Sequence, residues 1–77
     1  MISVCIATFN GERFIAEQLS SILHQLGDED EIIISDDGST DKTKDIVLGF
    51  QSPNIKWFVN KGEHGYTPNF ENALKKA

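Results

Sequence analysis

The stretch that decides the fold reads Ile32-Ile33-Ile34-Ser35-Asp36-Asp37-Gly38-Ser39-Thr40-Asp41. An apolar run stops at two adjacent carboxylates, and a glycine and three residues suited to starting a helix follow. Such a run is typical of a buried parallel strand, and open α/β sheets bind ligands at the carboxyl ends of their strands. The stretch therefore predicts a strand from Glu31 to Ser35 whose end presents Asp36 and Asp37 to a nucleotide-type crevice.

One further strand is predicted before this stretch in the sequence and another after it. The run from Ile2 to Thr8 is rich in β-branched residues and predicts the first strand, with its large side chains on one face and its small ones on the other. The run from Ile55 to Val59 predicts the third strand, because Trp57 and Phe58 are residues that strands favour.

A helix is predicted after each strand. Apolar residues at helical spacing indicate the first helix, which Gly27 ends, and a second helix that runs to about Phe50. Pro68 suits the first turn of a third helix. The predicted N-cap residues are Asn10, one of Ser39, Thr40 and Asp41, and Thr67.

The order strand, helix, strand, helix, strand, helix indicates an α/β protein with a short parallel sheet. Three such units make half of a doubly wound domain. We therefore expect residues 1–77 to be the amino-terminal part of a longer domain.

Composition limits the partners of this 77-residue chain, whose net charge is −5. No basic stripe exists to neutralise phosphates, which argues against nucleic acid and against anionic membrane surfaces. Cys5 is the only cysteine, so no internal disulfide forms and a reducing compartment, the cytoplasm, is expected. Neither a signal peptide nor an apolar run of about 20 residues is present.

The Asp36–Asp37 pair supports two interpretations about equally. One carboxylate accepts a hydrogen bond from a nucleoside, or the pair forms an Asx turn and caps the next helix. Adjacent strand residues point to opposite faces, so joint acid–base catalysis is disfavoured. Gly38 as the turn glycine would put Ile33 at the first ligand position of a calcium loop, which excludes that site.

Other candidate residues lie at the same predicted edge. Phe9 can stack on a flat base or fill the core, and Thr8 and Asn10 offer polar contacts. In the loop from Asn60 to Tyr66, Lys61 can meet a phosphate. His64 can act as a base or ligand, but a lone loop histidine with no evident partner is more often solvated. Glycine-rich dinucleotide and P-loop motifs are absent, so a diphosphate here would need another device, such as a metal ion held elsewhere.

The residues quoted above, together with Ala7-Thr8-Phe9-Asn10-Gly11-Glu12, Asn60-Lys61-Gly62 and Asn69-Phe70-Glu71-Asn72-Ala73-Leu74, closely resemble the amino terminus of family 2 glycosyltransferases, in their bacterial polysaccharide branch. The resemblance covers essentially the whole chain. It implies the GT-A fold, a Rossmann-like three-layer sheet that binds a nucleotide-diphosphate sugar, here as a partial GT-A fold. In GT-A sheets the fourth strand is expected to pair with the first, so the edge from Ile2 to Thr8 would be open and apolar, and we expect self-association or strand exchange through it.

The resemblance also implies roles for individual residues. Ala7, Thr8 and Phe9 would lie against the nucleoside, with Phe9 stacking on the base. One acid of the pair would contact the base, with Asp36 preferred over Asp37. Asn69 would approach the donor. The divalent metal (Mg²⁺ or Mn²⁺), its DXD motif and the general base would lie outside these residues, so no catalytic or metal-binding residue is expected here.

The resemblance predicts an inverting glycosyltransferase that moves a sugar from a nucleotide-diphosphate donor to a hydroxyl acceptor in polysaccharide assembly. This chain would supply nucleotide binding and be inactive alone, and the full-length enzyme would be cytoplasmic or membrane-associated. The alternative is a small α/β binding or interaction module without a catalytic role, in which the acids serve only as turn residues.

Overall fold

The computed structural model describes all 77 residues. Three strands alternate with three helices in the order β1 (Ser3–Thr8), α1 (Ile15–Leu23), β2 (Glu31–Asp36), α2 (Thr43–Gly49), β3 (Ile55–Val59) and α3 (Tyr66–Lys76). The strands form one parallel sheet in the order β1-β2-β3. The predicted α/β fold with a short parallel sheet is confirmed.

The apolar core lies on one face of the sheet. It contains six buried residues from two strands and both helices of that face: Ile6, Ile15, Leu19, Ile32, Ile34 and Val47. Helices α1 and α2 contact each other over this face. The apolar residues whose helical spacing predicted α1 therefore include the side chains, Ile15 and Leu19, that the helix buries against the sheet.

The opposite face is covered by α3, which contacts β1 and β2. Strand residues alternate between faces, so this face receives Cys5 and Ala7 from β1 and Ile33 and Ser35 from β2. Three of these four side chains are small. Their size lets α3 approach closely, and Ala73 at its contact is completely buried.

The N-terminus of α1 corrects one prediction. Asn10 does not cap this helix, which begins at Ile15 without a side-chain cap. Asn10 has a φ of 50° and its Oδ1 accepts a hydrogen bond from the Thr40 N–H, 2.8 Å away. The predicted end at Gly27 is also wrong, because α1 ends at Leu23 and looser turns continue to Leu26.

The other two helices begin near, but not at, the predicted residues. Helix α2 begins at Thr43, whose N–H donates to Asp41 Oδ1 at 3.0 Å. Helix α3 begins at Tyr66, so Thr67 lies inside its first turn and is not the cap. Gly65 precedes the helix with a φ of 120°, a backbone conformation that glycine adopts without a steric penalty.

Candidate functional site

The carboxyl ends of the strands meet at one edge of the sheet, which we call the carboxyl edge. Thr8, Asp36 and Val59 are register partners across the three strands. The Thr8 carbonyl oxygen accepts hydrogen bonds from the Asp37 N–H at 3.0 Å and from Asn69 Nδ2 at 3.2 Å. This one atom therefore connects β1 to the turn after β2 and to the start of α3.

Asp36 is 4% exposed and forms its own turn. Its Oδ2 accepts from the N–H groups of Gly38 and Ser39, at 3.2 and 2.8 Å, and its Oδ1 accepts from the Ser39 hydroxyl. Gly38 has a φ of 87°, which the tight turn requires. The turn role of this residue is thus present in the structure. A carboxylate has about four acceptor positions, so one on Oδ1 stays free.

Asp37 points instead to the loop between β3 and α3. Its Oδ2 accepts from the Gly65 N–H at 2.8 Å, and its Oδ1 lies 3.1 Å from Asn60 Nδ2 and 2.7 Å from His64 Nδ1. The Gly65 N–H, followed by His64, holds the pKa of the Asp37 carboxyl below its ordinary value. The two neighbouring acids thus organise two different loops.

Asn69 is 2% exposed, and both ends of its amide are bonded. Its Oδ1 accepts from the Ser35 hydroxyl at 2.6 Å, while its Nδ2 donates to the Thr8 carbonyl. Asn72, one helical turn later, donates from Nδ2 to Ser35 Oγ at 2.8 Å. We call Ser35, Asn69 and Asn72 the polar clip, because they attach α3 to the ends of β1 and β2.

Sequence reasoning did not assign roles to Ser35, Asn72 or Asn60. Two signals were present: a serine interrupts an isoleucine-rich strand, and two asparagines lie three residues apart on one helix face. Asn60, 5% exposed, accepts from the Gly62 N–H at 3.1 Å and donates to the Glu63 carbonyl at 2.7 Å. It therefore shapes the loop that Asp37 holds.

The loops after β1 and β2 are joined to each other. The N–H groups of Asn10, Gly11 and Glu12 donate to Ser39 Oγ, Thr43 Oγ1 and Asp41 Oδ2, respectively. Burial raises the pKa of Asp41, but hydrogen bonds led by the Thr43 hydroxyl outweigh that effect and lower it overall. These contacts fix the loop that carries Phe9 against the turn that carries Asp36.

Phe9 is one of the large apolar side chains near this edge that are exposed to water, together with Val59 and Tyr66. It follows directly after Thr8 and is 60% exposed, so it does not fill the core. Phe14, at the other end of the same loop, is 70% exposed. Lys61 and His64 are exposed in the β3–α3 loop. Hydrogen bonds join the loop of Phe9 to the turn after Asp36, so an exposed ring that can stack on a flat ligand lies near this turn.

The residues of this edge do not fit a divalent cation site. No group of three or more His, Cys, Asp or Glu side chains is arranged to hold a metal ion. Most acceptor positions of Asp36 and Asp37 are already used by N–H and O–H donors of the chain.

None of the three helices has the length and hydropathy needed to cross a bilayer.

Comparison with known proteins identifies the family. The family model described as glycosyl transferase family 2 matches residues 3–77. The chain belongs to glycosyl transferase family 2. This confirms the resemblance seen in the sequence.

Among the curated members of family 2, a GalNAc(5)-diNAcBac-PP-undecaprenol beta-1,3-glucosyltransferase from Campylobacter jejuni is 37% identical over 99% of this chain and 26% of its own length. The Escherichia coli enzyme WfgD, a UDP-Glc:alpha-D-GlcNAc-diphosphoundecaprenol beta-1,3-glucosyltransferase, is 32% identical over 100% of this chain and 30% of its own length. The Shigella flexneri dTDP-rhamnosyl transferase RfbG is 52% identical over 79% of this chain and 24% of its own length. The chain therefore spans between about a quarter and a third of the length of these relatives.

A solved structure confirms the fold. The mannosyltransferase PcManGT from Pyrobaculum calidifontis, in complex with GDP-Man and Mn²⁺, matches with a TM-score of 0.84. The identity is 24%, and the match covers 99% of this chain and 24% of the other. The three parallel strands and their helices therefore have the Rossmann-like arrangement of the GT-A fold.

Proposed function

We propose that this chain is the nucleotide-binding part of an inverting glycosyltransferase that transfers a sugar from a nucleotide-diphosphate sugar to a hydroxyl acceptor during bacterial polysaccharide assembly. Family membership supports the reaction class. The names of the two glucosyltransferases, from C. jejuni and E. coli, support a lipid-linked acceptor. The GDP-Man in the mannosyltransferase structure supports the donor class.

The observation that carries this proposal is the exposed ring of Phe9 at the carboxyl edge. The loop contacts described above hold this ring beside the turn of Asp36. We propose that Phe9 stacks on the base and that Ala7 and Thr8 line the nucleoside. The free acceptor position on Asp36 Oδ1 would receive a base N–H, with Asp37 as the second choice.

Asn69 contributes to the proposed site by position. Its amide oxygen and nitrogen are both occupied, by Ser35 and by the Thr8 carbonyl. It therefore holds the first turn of α3 against the carboxyl edge, close to where a donor would lie. A buried amide with both ends bonded fixes the geometry of a site without itself being free to bind.

Transfer requires two further groups. A divalent metal supplies charge stabilisation for the leaving diphosphate, and a general base takes the proton of the acceptor hydroxyl. We propose that the residues for both lie outside these 77 residues, because Asp36 and Asp37 are engaged within the chain. Residues 1–77 alone would then bind a nucleotide without turning over a nucleotide sugar.

Binding of nucleoside diphosphates tests this proposal. The chain is titrated with uridine, guanosine and thymidine diphosphates, with and without Mn²⁺, and followed by NMR. We expect saturable shifts at Phe9, Asp36 and their neighbours with one of these nucleotides. Phe9→Ala weakens binding about tenfold, since stacking of a base on an aromatic ring contributes about 1–3 kcal/mol.

Phe14→Ala is the matched control, because it removes a second exposed ring from the same loop and leaves binding unchanged. Asp36→Asn keeps an acceptor for the turn but reduces binding. Equal effects of the two phenylalanine variants, or no saturable binding at millimolar nucleotide, would overturn the proposal.

A small binding module without a catalytic role is the second candidate. It is favoured by one observation, that both acids are already engaged in loop contacts. In that case Asp36→Asn lowers the free energy of unfolding while no nucleotide shifts the spectrum of the unmodified chain. The same titration therefore separates the two functions.

A further inference from the structure

The outer edge of β3 carries backbone groups without strand partners. Between β2 and β3, Ile32 N–H donates to the Asn54 carbonyl and Asn60 N–H donates to the Asp36 carbonyl, each at 2.7 Å. Backbone groups alternate in direction along a strand, so even-numbered residues of β3 face β2. The N–H groups of Trp57 and Val59 therefore face outward, where β3 has no neighbouring strand.

A cavity of about 500 Å³ runs along this outer edge, and three lysines line it. Lys44 comes from α2, Lys61 from the loop after β3, and Lys76 from α3, while Trp57 and Val59 belong to the edge itself. We call this surface the lysine groove. No carboxylate lines it, whereas the adjacent cavity of about 240 Å³ contains Glu63 and Glu71.

None of the three groove lysines forms an ion pair. The two ion pairs of the chain join Lys56 to Glu31 and His64 to Asp37. Lys76 Nζ lies 5.3 Å above the ring of Phe58 instead. In a chain of net charge −5, three lysines that form no ion pair and line a groove without a carboxylate indicate an anionic partner.

We propose that the lysine groove binds an acidic, extended segment of a partner protein, which adds to β3 as a further strand. The outward N–H groups of Trp57 and Val59 donate to carbonyl oxygens of that segment, as in other cases of strand addition. Adjacent acidic residues of the segment point to opposite faces of the sheet, where Lys44 and Lys76 lie. The groove adjoins the carboxyl edge at Val59 and Lys61, but it contains neither Phe9 nor Asp36, the two residues proposed above to contact the base.

A competing role for edge lysines is known in general. Charged side chains on an edge strand discourage pairing with other chains. That role requires only repulsion, so it predicts no saturable binding of an acidic peptide. It also predicts no change in hydrogen exchange at Trp57 or Val59.

Two signals test the proposal with one probe, a capped acidic peptide rich in Glu and Val that lacks aromatic residues. Trp57 is the only tryptophan, so its fluorescence reports on the groove. We expect a saturable fluorescence change, together with at least tenfold slower hydrogen exchange of the Trp57 and Val59 amides. A control peptide has the same sequence except for a proline at its centre, which removes a backbone donor and breaks the strand. We expect this control to protect the Trp57 and Val59 amides less.

Matched charge reversals locate the binding surface. The double variant Lys44→Glu, Lys61→Glu weakens peptide binding about tenfold, as two weak ion pairs lost together would. The double variant Lys42→Glu, Lys75→Glu carries the same charge change outside the groove and binds as the unmodified chain does. Phe9→Ala also leaves peptide binding intact, so failure of the nucleotide proposal would be seen separately.

Four results would overturn the proposal. One is the absence of saturable binding, and another is an equal loss of affinity in the two double variants. The third is a fluorescence change without amide protection, which would show an anion held by the lysines and no added strand. The fourth is amide protection that rises with chain concentration when no peptide is present. This result would show that a second copy of the chain binds the edge of β3, and it would count against an acidic partner.

Discussion

The two faces of the sheet are held by different chemistry. Under α1 and α2, six buried apolar side chains pack against one another. Under α3, the contact combines Ile33 and small side chains, among them Ala73, with the polar clip. The apolar face gains free energy by removing hydrocarbon from water, whereas the polar face gains a fixed geometry, since hydrogen bonds are directional.

This division follows the position of the carboxyl edge. The polar clip connects α3 to Thr8 and Ser35, which lie where β1 and β2 approach the candidate site. A misplaced α3 would displace the Thr8 carbonyl and the Gly65 N–H together. The stability of the chain should therefore depend most on the first face, and the shape of the site most on the second.

The largest effect is expected from a cavity in the apolar face. Leu19 is completely buried in α1, so Leu19→Ala should lower the free energy of unfolding by about 2–5 kcal/mol. That is a large share of the roughly 5–15 kcal/mol typical of a folded domain. Urea denaturation measures it, with Leu48→Ala, at an exposed position of α2, as control. Equal losses in both variants would refute an apolar core on this face.

The polar clip should contribute less, and unequally between its asparagines. Asn69→Ala removes hydrogen bonds to Ser35 and to Thr8, which we expect to cost about 1–3 kcal/mol in urea denaturation. Asn72→Ala removes only the bond to Ser35 and should cost less than Asn69→Ala. A larger loss in Asn72→Ala would mean that the Thr8 carbonyl does not depend on α3.

Acid should loosen the loop between β3 and α3 that Asp37 holds. The pKa of Asp37 is lowered from 3.8, chiefly by the Gly65 N–H. Its hydrogen bonds are therefore complete above the unfolded-state pKa and are lost as the pH falls through the lower, folded-state value. The Gly65 amide shift, followed by NMR below about pH 4, should titrate in the unmodified chain and stay flat in Asp37→Asn. Identical titrations of the two would show that Asp37 does not hold this loop.

The smallest effect is expected at the open edge of β1, which lies outside both faces. Ile2 is 58% exposed beside this edge, and an apolar groove of about 260 Å³ separates it from Ile22 and Leu26. We expect weak self-association through this edge. Sedimentation should show Ile2→Lys shifted toward monomer, with Leu48→Lys as control. A monomer at every concentration would contradict this expectation.

The sequence predicted the strands well because their signal is local. The bounds of β3 match the prediction, and β2 runs one residue further, to Asp36. The helix starts were predicted less well, since Asn10 and Thr67 have the residue types of caps. Asn10 binds Thr40, and the turn into α3 depends on Asp37, so the decisive partners are distant in sequence.

The site shows the same limit. The predicted strand ends were sufficient to assign Thr8, Phe9, Asp36 and Asp37 to one edge of the sheet. Which carboxylate serves which loop was beyond the sequence, because it depends on hydrogen bonds to Ser39 and Gly65. The polar clip could not be predicted for a similar reason: Ser35 lies 34 residues before Asn69 and 37 residues before Asn72.

The Thr8 carbonyl has a consequence for biosynthesis. Its partner Asn69 follows 61 residues later, so the first strand acquires this contact only after the start of α3 has left the ribosome. Until then, the face that α3 covers is exposed on the nascent chain, with Ile33 in water. Chaperones that recognise exposed apolar strands could bind the nascent chain during this interval. The interval ends when Asn69 forms its hydrogen bond to the Thr8 carbonyl.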